Sequence, residues 1–203
     1  QRLDLSAVVL RNILFHEPIV TNAEIDRKVT VTVDLKDGDG RITVASVPWK
    51  TDRALATDAT THMTCVLARS EPFAPAPVAA CAQPLSADAV DLDACYGVTR
   101  HIGIFHDGFM KCSGRVALLP SGQHLGDVRL GPDATARAAD FLLHPVFLDC
   151  ATIVPLVPLH DGLDQATLFI PFGIEEVQAV PFTGRRDVRV LVEPLDADAG
   201  NHE

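Results

Sequence analysis

The run His144–Leu159, HPVFLDCATIVPLVPL, constrains the fold more than any other stretch, because it is almost wholly apolar and carries one carboxylate, Asp149. Pro145 suits the first position of a helix, where a missing N–H is no loss, and Pro155 is the next break. The pattern predicts a short helix beginning at Pro145. On such a helix Asp149 shares a face with Pro145 and Ile153, four residues to either side, so its near neighbours are apolar. Burying an ionised carboxylate without a partner is costly, and the usual response is a raised pKa. A carboxyl held protonated near neutral pH is a proton donor. The competing reading is structural: Asp149 meets an arginine or a backbone N–H and holds the core together. His144, fixed at the helix start by Pro145, is expected to cap or position the helix.

The rest of the chain reads mostly as strands. Ala7–Val20 is apolar and β-branched without a helical period. Val29–Leu35 (VTVTVDL) alternates strictly, DGDG at 37–40 is a strong turn signal, and Arg41–Val47 returns as the partner strand. A further strand is expected at His62–Arg69. From Ser70 to Ser86 four prolines and several alanines interrupt any period, which predicts a semi-rigid linker between two halves. Ala87–Tyr96 reads as a short helix capped by Ser86. Strands are expected at Phe109–Leu119, at Leu125–Leu130, at Ala166–Ile170 with its PFGIEEVQAV extension, and at Asp187–Val192. Only the second half displays a helix able to cover its sheet. The chain opens at Gln1 and enters strand-like sequence within a few residues, as expected for a piece of a longer polypeptide.

Composition narrows the function. At 203 residues and 47% hydrophobic content the chain has material for a sizeable core. A net charge of -10 argues against nucleic acid, which calls for a basic face. No apolar run approaches the ~20 residues of a membrane span. Five widely spaced cysteines without a CxxC pair indicate neither a zinc knuckle nor a disulfide framework, and reduced thiols in the cytoplasm fit best. His101 and His106, five apart, match neither helical nor strand metal-ligand spacing, so no metal is expected. His16, His62 and His124 read as structural or exposed. Nucleophile elbows and glycine-rich phosphate loops are absent, and no nucleotide cofactor is expected.

HPVFLD at 144–149 resembles the HPxxLD motif of polyketide synthase dehydratase domains. IFHDGFMKCSGRVALL at 104–119 resembles the stretch that opens the second hotdog's sheet in that family, with Phe109 in place of an aromatic of the acyl tunnel. Tyr96-Gly97 is similar to the start of the family's YGPxF motif, though Val98 replaces the proline. VVLRNILFHEPIV at 8–20 and LFIPFGIEEVQAV at 168–180 match weakly, in the family's order. The resemblance implies an α+β double hotdog, two antiparallel sheets each wrapping a central helix, with the first hotdog incomplete. Residues 1–70 would then be the remainder of the first hotdog, 71–88 the linker, 89–196 the second hotdog and 197–203 a frayed tail.

It also implies an activity: loss of water from a β-hydroxyacyl thioester carried on the phosphopantetheine arm of an acyl carrier protein, with no other cofactor. Asp149 matches the acid that protonates the departing hydroxyl, and Tyr96, Phe109 and Ile153 would line the tunnel. Carrier protein, neighbouring synthase domains and a second copy of the chain are the implied partners. Two departures stand out. None of the eight histidines has glycine four residues on, so the family's HxxxGxxxxP base is expected upstream of Gln1 and the fragment alone is expected to be nearly inactive. Ile153 stands where the family commonly has Gln or His. A non-catalytic double-hotdog module and a related polyketide cyclase are the alternatives.

Overall fold

The computed structural model describes residues 8–21, 24–36, 39–50, 53–54, 58–71, 78–159, 172–180 and 183–194. In chain order the strands are β1 (Val8–Phe15), β2 (Asp26–Lys36), β3 (Asp39–Lys50), β4 (Arg53–Ala54), β5 (Thr60–Arg69), β6 (Val90–Asp91), β7 (Cys112–Leu118), β8 (His124–Leu130), β9 (Gly173–Gln178) and β10 (Asp187–Val192). The α-helices are α1 (Leu92–His101), α2 (Pro132–Ala136) and α3 (Pro145–Ile153). Residues 1–75 with 169–180 form one compact unit, and residues 76–168 with 181–203 form the other.

The first unit is an antiparallel sheet in the order β2-β3-β5-β1-β9, with the short β4 on β3. Strict alternation in β2 sets the register: Val29, Val31 and Val33 lie opposite Ser46, Val44 and Ile42 of β3 and share one face with them. The β3–β5 register slips after Val44, leaving His62 as the extra residue. His62 is buried there. Its Nδ1 lies 2.9 Å from the Glu17 carbonyl oxygen and its Nε2 lies 2.7 Å from Ser46 Oγ. A carbonyl only accepts, so Nδ1 carries the proton and Nε2 accepts from the serine hydroxyl. Among the described residues this unit contains no helix.

The second unit is an antiparallel sheet in the order β10-β8-β7-β6. Helix α3 packs on β7, β8 and β10, and α1 packs on β7. Their apolar residues close one core with Val116, Val128 and Leu130 of the sheet and Val146, Phe147, Cys150 and Ile153 of α3. Gly126 admits the chain end of that helix: a Cβ there would lie 3.1 Å from Val154 Cγ2. The other face of this sheet is tied to the segment before α1. Arg189 grips Asp127 with two nitrogens, at 2.6 and 2.8 Å, and its Nη1 donates to the carbonyls of Cys81 and Gln83. Arg115 donates to the carbonyls of Ala87 and Ala89.

Several expectations are corrected. The second half does not run unbroken from residue 89 to 196, because β9 pairs with β1 and returns the chain to the first sheet. The helix expected at Ala87–Tyr96 begins at Leu92 instead, since Asp91, not Ser86, takes the cap: its side chain accepts from the Asp93 N–H. The strand expected from Phe109 begins at Cys112, because Asp107 caps a 3-10 turn over Gly108–Met110. The latter part of the linker is strapped to the second unit by the two arginines. The strand expected at Ala166–Ile170, residues 72–77 of the linker and the tail at 197–203 lie outside the described residues.

Candidate active site

Helix α3 places the one carboxylate of the apolar run. His144 is its N-cap, with extended backbone (φ -69°, ψ 123°), and its Nδ1 accepts from the Val146 N–H at 3.3 Å. Pro145 follows at the first helical position. The imidazole is buried between Phe109, 5.4 Å away and stacked, and the edges of Phe141 at 4.8 Å and Phe147 at 5.8 Å. With Nδ1 accepting, the neutral ring keeps its proton on Nε2, which makes no well-formed hydrogen bond among the described residues. Burial pushes the His144 pKa down, against a smaller opposing effect of the Ala134 backbone. A neutral, boxed-in imidazole of this kind fixes where the helix starts.

One turn on, Asp149 is half-buried, with 31% of its side chain exposed. Its Oδ2 is shut off from solvent and makes no well-formed hydrogen bond among the described residues, so the exposure belongs to the rest of the carboxyl group and its stem. Burial raises the Asp149 pKa, and the neighbouring His106 partly opposes that rise. His106 Nε2 lies 3.3 Å from Oδ2. That separation is short enough for charges to interact, but the N–H does not aim well enough for a full hydrogen bond.

His106 reaches this place from the loop after α1. Its side chain is only 9% exposed, its Nδ1 lies 3.3 Å from Thr99 Oγ1, and its ring sits 5.1 Å from that of Tyr96. Tyr96 is fully buried on α1, and its hydroxyl accepts from the Cys112 N–H at 3.0 Å. Burial drives the Tyr96 pKa up, and contact with Cys112 together with burial does the same for Cys150. Neither is an acid or a nucleophile near neutral pH.

The sequence points to Asp149, His144, Pro145, Phe109, Tyr96 and Ile153. His144, Pro145 and Asp149 share α3, and Phe109 is half-buried against the His144 ring. Tyr96 and Ile153 belong to the hydrophobic core, with their side chains sealed from solvent. His106 was missed as a site residue. A signal for it did exist: with Ile153 one turn beyond Asp149, a polar partner for the acid has to come from elsewhere in the chain. Among the described residues no three His, Cys, Asp or Glu gather as a metal site, and no helix is long and apolar enough to cross a membrane. All five cysteines are free.

Residues 74–200, more than half of the chain, match the family model of the polyketide synthase dehydratase N-terminal domain. The chain belongs to this family. Solved structures agree with the assignment. The N-terminal dehydratase of the difficidin assembly line is 27% identical, with a TM-score of 0.76 over 91% of this chain and 62% of that one. A monomeric dehydratase domain from a trans-AT polyketide synthase split module is 21% identical, with a TM-score of 0.75 over 92% and 69%. An inactive mutant of the CurK dehydratase, in which an aspartate is changed to asparagine, is 17% identical, with a TM-score of 0.71 over 93% and 64%. This dehydratase-family chain thus spans somewhat under two thirds of the first and third of these structures. No curated protein matches it. The fold is the double hotdog of polyketide synthase dehydratases, with two antiparallel sheets and few helices.

Proposed function

We propose that this chain is part of an active dehydratase in which Asp149 is the general acid. The observation that carries the reading is a lone carboxyl on a capped apolar helix, partly open to solvent, whose pKa is raised by burial. The substrate is a β-hydroxyacyl thioester delivered on the phosphopantetheine arm of an acyl carrier protein, and no further cofactor is proposed. A base takes the α-proton, the electron pair of that C–H bond becomes the new C=C bond, and the β-carbon–oxygen bond breaks. The hydroxyl leaves with the proton of Asp149 as water, and an enoyl thioester remains. Keeping Asp149 neutral until that moment is what its surroundings favour.

The base is proposed to be the histidine of an HxxxGxxxxP motif, which no histidine of this sequence matches. That an aspartate-to-asparagine change accompanies inactivity in a structural relative supports looking to an aspartate. Pairing of two copies within the synthase is also proposed, to be read by sedimentation.

The test is Asp149→Asn in the intact synthase protein, assayed with a carrier-bound β-hydroxyacyl thioester. The rate of dehydration should fall about 10²- to 10⁴-fold, with folding intact by circular dichroism. A near-normal rate would remove Asp149 from the role of acid.

A further inference from the structure

Resting on that reading of Asp149, we infer that His106 is its positioning residue: Nε2–H faces the buried oxygen Oδ2, and the other oxygen is left to carry the proton that is transferred. Three observations carry it. The two groups are 3.3 Å apart, and each is withdrawn from bulk water on the facing side, with His106 9% exposed and Oδ2 sealed. Ile153, one turn beyond Asp149, is buried in the apolar core and offers no polar atom, so α3 itself supplies no partner. Finally, Thr99 holds the far side of the ring at 3.3 Å.

The ring orientation follows from donor and acceptor rules. A hydroxyl has one proton and two lone pairs, so Thr99 can meet His106 Nδ1 in either of its states. With its proton turned to the Tyr96 carbonyl, 3.0 Å away, Oγ1 accepts from Nδ1–H. With its proton turned to Nδ1, it donates. In the doubly protonated ring and in the Nε2–H tautomer, Nε2 presents a proton to Asp149. The remaining tautomer would set a lone pair against Oδ2 and would be satisfied only by an acid proton on that sealed oxygen, where it could not reach a leaving hydroxyl. The ring is braced by Tyr96, whose hydroxyl is anchored to β7 at Cys112. Other ionisable groups around the pair are Tyr96 on α1, Cys112 on β7, Cys150 on α3 and Lys111, which is drawn off in an ion pair with Asp93. None of them substitutes for His106 at Oδ2.

The role is one of direction. A carboxyl free to rotate presents either oxygen to the leaving hydroxyl, whereas one held at Oδ2 presents the other. Losing that hold should therefore act on turnover more than on substrate binding.

Two measurements test this. In the intact synthase protein, His106→Leu should lower kcat about 10- to 100-fold, the loss of a 3.3 Å contact that tightens into a hydrogen bond when substrate is bound, with KM within about twofold. His106→Gln, which keeps an N–H donor, should recover most of that loss. Wild-type kcat in His106→Leu would overturn the inference, as would a loss that falls on KM or that Gln does not recover. On this chain, nitrogen NMR of the histidine rings should find Nε2 of His106 protonated and its signal moved by Asp149→Asn. An unprotonated Nε2, or one indifferent to that substitution, would also overturn it, even if His106→Leu fails to fold. The outcomes separate the two claims. If Asp149→Asn leaves dehydration intact, the acid assignment falls. If Asp149→Asn is inactive while His106→Leu is normal, only the positioning role falls.

Discussion

In the first sheet Val31 stands 60% exposed, whereas in the second Val116 is fully buried, although both are valines on strands of antiparallel sheets. Val29, Val33 and Leu35 share the exposure of Val31 along β2, while Val128 and Leu130 share the burial of Val116. Membership of a sheet is therefore not what distinguishes the two units. A helix is. Helix α3 lies on β7, β8 and β10 and closes the apolar face of the second sheet, and no helix lies among the described residues of the first unit. A half-buried strand pattern states which face needs cover, and burial follows only where an element supplies it.

That comparison predicts unequal costs for similar deletions. Phe147→Ala, on the buried face of α3, should cost about 3–5 kcal/mol, while Val31→Ala should stay within about 0.5 kcal/mol. Urea denaturation of both variants checks this, and equal losses would break the contrast between the sheets. His62→Ala asks whether the first unit has an anchor of its own. It removes the buried partner of Ser46 and of the Glu17 carbonyl, and should cost about 1–3 kcal/mol by the same measurement. No loss would mean that β3 and β5 hold their register without it.

The smallest effect belongs to Asp149 and is a matter of sign. Burial raises its folded-state pKa above the usual 3.8, so the folded protein keeps that proton to higher pH than the unfolded chain does. The stability it contributes is complete below pH 3.8 and is lost as pH rises through the raised value. Asp149→Asn should therefore gain stability relative to wild type across that window, read from urea midpoints at a series of pH values. A variant that loses ground as pH rises would show a carboxylate stabilised in place, and a site built for structure.

Much of both units was legible from local chemistry. Pro145 after His144 marked where α3 begins, alternation at 29–35 with DGDG marked the hairpin, and Asp187–Val192 was read to its ends as a strand. Local competition misled elsewhere: Asp91 and Asp107 are better-placed caps than their neighbours, and they moved the starts of α1 and β7. Strand β9 reads identically whichever sheet receives it, since pairing partners leave no mark on a strand's own alternation. Its place beside β1 came only from the path of the chain.

Local sequence suffices for the helix, its histidine cap and the isolation of Asp149 among apolar residues, because these depend on neighbours within about one helical turn. That His106 faces Asp149 is a product of packing. The two residues sit on different elements far apart in the sequence, and their 3.3 Å approach exists only once α1, with Thr99 and Tyr96, has packed beside α3.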